Sequence, residues 1–359
     1  WKDNSVDVFI EATGIFRTKS QIEKHISSGA KKVILTVPAK DEIDYTVVLG
    51  VNEDGINSNH NIISNASCTT NCLAPMAKIV HENFGIIKGV INTIHAYTND
   101  QRLADVSHKD LRRSRAAAEN IIPTSTGAAR AVGKVLPDLN GKLDGIASRV
   151  PVPDGSAVDL FVELDKSISK NQLDDVIYEA CQTERLKNIL EFSKNPIVST
   201  DIIGNSKSSI YDSSCTSVVN GKFLRTLNWY DNEWGYSNRV VDLIDLLNKF
   251  LWFYMSNKHF NRLINMYENA PINKIFNPNI KISLGKSEIS ILAKSDFFHS
   301  ANSLHGSIFF KMLDDAAYFA AHSYIDDCFL VTASFSIDFI KPVTSGIVKS
   351  IGQVDIRHE

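Results

Sequence analysis

The residues with the most chemistry in them lie in one stretch, Ser64-Asn65-Ala66-Ser67-Cys68-Thr69-Thr70-Asn71-Cys72. Asn61-Ile62-Ile63-Ser64 reads as a short strand leading in. Leu73, Met76, Ala77, Val80 and Phe84 recur at helical spacing leading out. Cys68 therefore falls at a strand-to-helix junction. The unpaired N–H groups of a helix start carry partial positive charge, favour a thiolate and can hold an anion beside it. An unperturbed cysteine, with pKa ~8.5, is only about 3% thiolate at pH 7, so a reactive Cys68 calls for a lowered pKa. The commoner fate of such a cysteine is that of a small buried residue. Cys72, four residues on, reads as core. The spacing would suit two metal ligands, but no second Cys/His cluster follows, so no metal is expected.

His95 ends an alternating run, Val90-Ile91-Asn92-Thr93-Ile94-His95, and lies 27 residues after Cys68. Alone it reads more readily as a structural histidine; beside Cys68 it would be a fitting general base. Asn99 to Pro123 is a long polar segment holding His108-Lys109-Asp110-Leu111-Arg112-Arg113-Ser114-Arg115. Such a cluster is usually a solvated face, although arginine forks suit phosphate. Thr124-Ser125-Thr126-Gly127 opens a helical pattern, Ala128 to Val135, either as a second anion site or as a plain N-cap.

The elements that position these residues follow an α/β pattern. Strands are expected at Val6 to Ala12, Lys32 to Val37, Tyr45 to Val51 and Asn61 to Ser64, with a helix at Lys19 to Ser28. In parallel sheets ligands bind beyond the strand C-terminal ends, where Thr13-Gly14, Thr36 and Cys68 all lie. No G-x-G-x-x-G turn occurs in the chain, and no acidic residue is placed to read a ribose. Leu143 to Leu164 reads as two strands, Lys170 to Ala180 as a helix, Ile197 to Trp229 as three strands and Val240 to Leu251 as an amphipathic helix. Val90 to Trp229 thus reads as a largely antiparallel second domain.

The 359 residues, 43% hydrophobic and 22% charged, suit two or three globular domains. A net charge of -3 gives no global attraction for nucleic acid or membrane. The most apolar run, Phe250 to Met255, is too short to span a bilayer. Five cysteines without framework spacing point to a reducing, cytoplasmic setting. The chain opens at Trp1 almost directly into a strand and stops at Glu359 in strand-like alternation; both ends read as incomplete.

Seven motifs then occur in the order and approximate spacing of one family. They are Ser67-Cys68-Thr69-Thr70-Asn71-Cys72, His95-Ala96-Tyr97-Thr98-Asn99-Asp100-Gln101, Leu111-Arg112-Arg113, Ser125-Thr126-Gly127-Ala128-Ala129, Asn140-Gly141-Lys142-Leu143, Arg149-Val150-Pro151 and Trp229-Tyr230-Asp231-Asn232-Glu233-Trp234-Gly235-Tyr236. Through them residues 1–250 resemble glyceraldehyde-3-phosphate dehydrogenase. The resemblance implies phosphorylating oxidation of a sugar-phosphate aldehyde in glycolysis, with Cys68 as acyl-carrying nucleophile and His95 as its base. It implies Thr98 and Arg149 for the substrate phosphate. It implies Ser67, Thr69, Thr126 and Gly127 for inorganic phosphate, with Arg113 nearby. Thr13, Gly14, Thr36, Asn232 and Tyr236 would line the cleft for NAD, with NADP left open. The family's glycine-rich turn would precede Trp1, so these residues alone are expected to bind the cofactor weakly or not at all. Erythrose 4-phosphate is the alternative substrate.

The last hundred residues follow another pattern. Ile280 to Gly285 and Ser287 to Ala293 read as a hairpin, Leu304-His305-Gly306-Ser307 opens a helix, and Leu330 to Ile340 and Gly346 to Ile356 read as strands. His305-Gly306, Asp314, Val331-Thr332 and Phe339-Ile340-Lys341-Pro342 resemble the hot-dog-fold acyl-CoA thioesterases. The resemblance implies that the Gly306 N–H polarises a thioester, Asp314 serves as base or nucleophile, and Thr332 positions water. Ser307 replaces the family's usual second glycine, and His299 stands where asparagine is frequent.

The expected fold class is α/β plus α+β: a partial Rossmann-type parallel sheet, an antiparallel catalytic domain with helices, and a partial hot-dog fold. The expected domains are 1–67 (remainder of an NAD-binding domain), 68–234 (catalytic), 235–250 (a C-terminal helix returning to the first), 251–274 (linker or helix) and 275–359 (thioesterase-like). Partners by resemblance are a sugar phosphate, inorganic phosphate, acyl-CoA at the C-terminal segment, and further copies of the chain in a homo-oligomer. A catalytically incomplete fusion is the non-enzymatic alternative.

Overall fold

The computed structural model describes residues 1–325 and 328–355, and for 249–257 the backbone alone. The chain divides into two compact units, Trp1–Leu247 and Asn248–Glu359.

The first unit begins with β1 (Val8–Glu11), α1 (Lys19–Ser27), β2 (Lys32–Leu35), β3 (Tyr45–Thr46) and β4 (Ile62–Ser64). The strands form a parallel sheet in the order β1-β2-β4-β3. Ile22 of α1 packs on Val33, Leu35 and Ile62, a fully apolar contact that seats the helix on one sheet face. The third strand is much shorter than the expected Tyr45 to Val51. Asn52 folds back instead, its side chain accepting from the Val48 N–H and donating to the Thr46 carbonyl, which takes those groups out of a ladder.

There follow α2 (Cys68–Phe84), β5 (Ile86–Ala96), β6 (Ile122–Ser125), α3 (Ala128–Val135), β7 (Leu143–Val150), β8 (Ser156–Leu164), α4 (Lys170–Gln182), β9 (Leu190–Ser193), β10 (Ser209–Val219) and β11 (Phe223–Tyr230). These seven strands form a second sheet, β6-β7-β5-β8-β11-β10-β9. Only the β5–β7 and β9–β10 pairs are parallel. Ile197 to Trp229 supplies two strands rather than the expected three; the third, β9, precedes that stretch. Helix α2 lies against the inner sheet face with Cys72, Leu73, Met76, Ala77 and Val80 buried. On the other face Val90, Ile146 and Phe223 remain exposed. Helix α5 (Trp234–Glu268) is longer than the expected Val240 to Leu251, and Leu243 and Leu247 near its start are buried.

The second unit holds α6 (Asn273–Phe276), a hairpin of β12 (Asn279–Ser283) and β13 (Lys286–Leu292), helix α7 (Gly306–His322) and β14 (Ile347–Gln353). The antiparallel sheet runs β12-β13-β14. Ile280, Ile289, Ile291, Ile308, Met312, Ala316 and Phe319 form the core between sheet and helix. Gly352 lies directly under the Ala316 carbonyl, where any side chain would collide with helix backbone. Two sheet serines, Ser287 and Ser350, donate 2.7 Å hydrogen bonds to the α7 carbonyls of Ala316 and Met312. The expected strand at Leu330 to Ile340 does not form. Its alternation is real, but Val331, Phe339 and Ile340 stay exposed, and the segment pairs with no neighbour among the described residues. Alternation without a hydrogen-bonded partner makes no ladder. Ile356, the last residue of the other expected strand, lies outside the described residues.

Candidate active site

Cys68 is the first residue of α2. Ser67 caps that helix by accepting from the Thr70 N–H at 3.1 Å. The chain reaches the cap through a tight corner. Ala66 is fully buried at φ 53, the left-handed region that costs a residue with a Cβ about 1–2 kcal/mol. Three bonds enforce the corner: the Ala66 N–H donates to Ser64 Oγ at 3.1 Å, and Asn71 Nδ2 donates to the Asn65 and Ser67 carbonyls at 2.9 and 3.0 Å. Backbone strain is thus held beside the nucleophile by the surrounding polar network.

His95 comes from the end of β5, and its Nε2 stands 3.5 Å from Cys68 Sγ. Parallel register puts Arg149 of β7 directly opposite His95. Arg149 Nη1 lies 2.7 Å from His95 Nδ1 and donates to the Ala96 carbonyl at 2.9 Å. Because guanidinium only donates, Nδ1 of the neutral ring accepts from it, and the ring proton sits on Nε2, facing sulfur. In the protonated ring Nδ1 would donate to the Ala96 carbonyl, 2.7 Å away.

Electrostatics correct the expectation of a thiolate lowered by the helix start. Burial pushes the Cys68 thiol up; Arg149 and hydrogen bonds from the Thr69 backbone N–H and hydroxyl pull it partly back. Cys68 keeps partial access to the cleft, yet its sulfur is enclosed by protein, and a short stretch of helix dipole does not offset that desolvation. Burial, then the Arg149 charge, push His95 down to about 3. The substrate-free pair is therefore a neutral thiol beside a neutral imidazole.

A cleft of about 1230 Å³ opens above the pair. It brings together Thr13, Gly14, Thr36, Ser67, Cys68, His95, Thr98, Arg113, Arg149, Asn232 and Tyr236 of the expected site residues. Glu11, buried under Thr13, accepts from the Thr13 N–H at 2.8 Å, from its hydroxyl and from His25 Nε2 at 2.9 Å. Gly14 has φ +70 and nothing within 4 Å of where a Cβ would stand. Tyr236 Oη donates to the Thr36 carbonyl at 2.7 Å, tying the start of α5 to the parallel sheet. Ser156 Oγ donates to Asn232 Oδ1 at 2.6 Å, which turns the amide N–H₂ toward Glu233. Arg113 is anchored on Thr124 Oγ1 at 2.8 Å and on the Asp100 carboxylate.

Three expected phosphate ligands do not line this cleft. Thr69 Oγ1 turns inward to Tyr230 Oη at 2.8 Å. Thr126 and Gly127 stand at the start of α3, the Thr126 hydroxyl accepting from the Ala128 N–H at 3.2 Å as a cap. Sequence reasoning gave no role to Ala66, Asp100 and Tyr230, although all three fall inside the stretches it quoted; their parts depend on long-range contacts or backbone shape.

In the second unit Thr332 Oγ1 donates to Asp314 Oδ1 at 2.8 Å. His305 caps α7, its Nδ1 accepting from the Ser307 N–H at 3.2 Å. His305 and Ser307 line a cavity of about 480 Å³ with Phe276, Phe297, Phe298 and Lys294. Asp314 and Thr332 are not in that lining. The Phe339 ring covers Gly306.

Residues 67–232 match the family described as glyceraldehyde 3-phosphate dehydrogenase, C-terminal domain. Residues 301–355 match the thioesterase superfamily. The glyceraldehyde-3-phosphate dehydrogenase of Streptomyces coelicolor is 59% identical over 244 residues, covering 68% of this chain and 72% of its own length. That of Mycobacterium bovis is 55% identical over 251 residues, covering 70% and 73%. That of Borreliella burgdorferi is 57% identical over 255 residues, covering 69% and 76%.

Proposed function

The chain belongs to the glyceraldehyde-3-phosphate dehydrogenase family, and from that premise we propose that its first unit oxidises D-glyceraldehyde 3-phosphate to an acyl phosphate through a thioester on Cys68. The observation that carries this is the 3.5 Å approach of Cys68 Sγ to His95 Nε2 at a helix start, with Arg149 on the far side of the ring.

Arg149 and Thr98 hold the substrate phosphate. A dianion there offsets the guanidinium charge, the second-largest influence holding His95 down. His95 Nδ1 is then free to donate to the Ala96 carbonyl, and Nε2 to accept the thiol proton. Substrate binding thus makes the base basic. Sulfur adds to the aldehyde carbon, and the Cys68 backbone N–H steadies the oxyanion. His95 passes the thiol proton to that oxygen, giving a thiohemiacetal hydroxyl, and takes it back as hydride leaves carbon, so that the thioester remains on Cys68. Inorganic phosphate, held near Ser67 and Arg113, attacks the acyl carbon, and the C–S bond breaks with thiolate as leaving group. Thr69, Thr126 and Gly127 join that phosphate site only if substrate rearranges them. Sulfur suits both halves, being a soft nucleophile and a better leaving group than a serine alkoxide.

The cleft residues fit the nicotinamide end of a dinucleotide. The Asn232 amide is oriented by Ser156, Tyr236 is fixed on Thr36, and the space over Gly14 is open. NAD is the proposed cofactor; when bound it supplies the hydride acceptor. Erythrose 4-phosphate is the alternative substrate, since the same phosphate grip serves either sugar. The exposed Val90, Ile146 and Phe223 on the outer sheet face support a homo-oligomer that covers them.

Iodoacetamide tests the reading. Cys215 and Cys328 are exposed, Cys72 and Cys181 buried. Access and the neutral thiol of the free site both favour Cys215 and Cys328, so the expected result is slower labelling of Cys68 that the sugar phosphate suppresses while the other cysteines keep their rates. Cys68 labelling indifferent to the sugar phosphate would contradict it.

The Asp314–Thr332 hydrogen bond, on the helix that opens at Gly306, favours a second activity in the second unit: hydrolysis of an acyl-CoA thioester, with Asp314 as base or nucleophile. CoA release that persists undiminished in Asp314→Ala would reject it.

A further inference from the structure

Tyr230 closes β11 and is 1% exposed. Its ring meets the His95 ring edge-on, centroids 5.9 Å apart. Its hydroxyl lies 2.8 Å from Thr69 Oγ1 and 3.0 Å from Thr93 Oγ1. Thr69 follows the nucleophile in α2. Thr93 precedes His95 by two residues in β5. One phenol oxygen therefore bridges the helix that carries sulfur and the strand that carries the imidazole.

All three residues of the row, Thr69, Tyr230 and Thr93, are buried, so these hydroxyls satisfy one another rather than water. Burial raises the Tyr230 phenol well above its ordinary value, so the middle donor keeps its proton. Chains of this kind strengthen along their length in a low-dielectric interior.

We propose that Tyr230 is a positioning residue for the nucleophile: its hydroxyl, bonded to Thr69 on one side and to Thr93 on the other, holds α2 and β5 at the spacing the sulfur–imidazole contact needs. This rests on Cys68 being the nucleophile. It also accounts for a hydroxyl that resemblance assigns to phosphate but that points away from the cleft. Other charged or titratable groups acting at this sulfur are His95 from β5, Arg149 from β7, Glu233 and Tyr236 around the start of α5, and Cys72 one turn along α2.

The test is the pH dependence of Cys68 alkylation by iodoacetamide in the full 359-residue chain, resolved by peptide mapping from the other four cysteines. Tyr230→Phe is expected to move the midpoint up by roughly half a pH unit, about threefold in rate below it. Thr69→Val breaks the bridge at its α2 end and should move it by a similar amount, whereas Thr69→Ser keeps the hydroxyl and stays with the parent. A midpoint unmoved in Tyr230→Phe, or Thr69→Ser behaving as Thr69→Val, would overturn the proposal. Should Tyr230→Phe fail to fold by circular dichroism, the Thr69 pair carries the same decision. Labelling of Cys68 in the parent chain that the sugar phosphate leaves unchanged is a different result, and counts against the nucleophile itself.

Discussion

Replacing His95 by asparagine should make the protein less sensitive to acid. The ring is 4% exposed, with a guanidinium nitrogen 2.7 Å from Nδ1. Burial and that charge take its pKa down to about 3; unfolded, it returns to about 6.5. The folded value is the lower, so the unfolded chain binds the proton first. The stability from a neutral His95 is present above pH 6.5 and drains away as pH falls toward 3. The loss is about 2 kcal/mol at pH 5 and about 4 kcal/mol at pH 3. Glu11, Asp44, Asp174 and Asp212, all held below their ordinary range, also lose stability in acid, but parent and variant share them. Urea unfolding at pH 7.5 and 5.0 isolates the difference: the parent should lose about 2 kcal/mol more than His95→Asn. Equal losses would refute the picture of a buried neutral imidazole pressed on by Arg149.

Three further outcomes follow from the same geometry. Ala66→Gly relieves a left-handed alanine and should raise stability to urea by up to about 1 kcal/mol, the strain relieved less the entropy glycine adds to the unfolded chain. Arg149→Lys supplies one charge without the fork that serves both His95 Nδ1 and the Ala96 carbonyl; in steady-state kinetics KM for the phosphate-bearing aldehyde should rise about tenfold. Gly352→Ala drives a methyl into the Ala316 carbonyl and should destabilise the second unit by about 1–3 kcal/mol, read from the shift of a urea transition.

Where the sequence was readable, local rules governed. The α2 face of Leu73, Met76, Ala77 and Val80 is a plain helical repeat, and β5 carries its alternation through His95 to Ala96. That Cys68, His95, Thr13, Thr36 and Asn232 would share a cleft follows from strand ends in a parallel sheet and from motif order. What was not readable depends on partners far along the chain. Tyr230 reaches Thr69 across 161 positions, and no spacing announces that. The upward push on the Cys68 thiol comes from walls supplied by several strands, so a helix-dipole argument alone has the wrong sign. Leu330 to Ile340 carries a strand pattern without a strand, because pairing is a property of two segments. Asn52 shortened β3 by a side-chain bond that competes with the ladder.

The acyl-phosphate product should acylate Cys68 without any cofactor, since the thiol takes the acyl group and releases inorganic phosphate. Intact mass and peptide mapping after brief exposure should show one acyl group, on Cys68, removed by hydroxylamine and absent in Cys68→Ser. An adduct elsewhere, or none at Cys68 while the chain remains folded, would contradict the account.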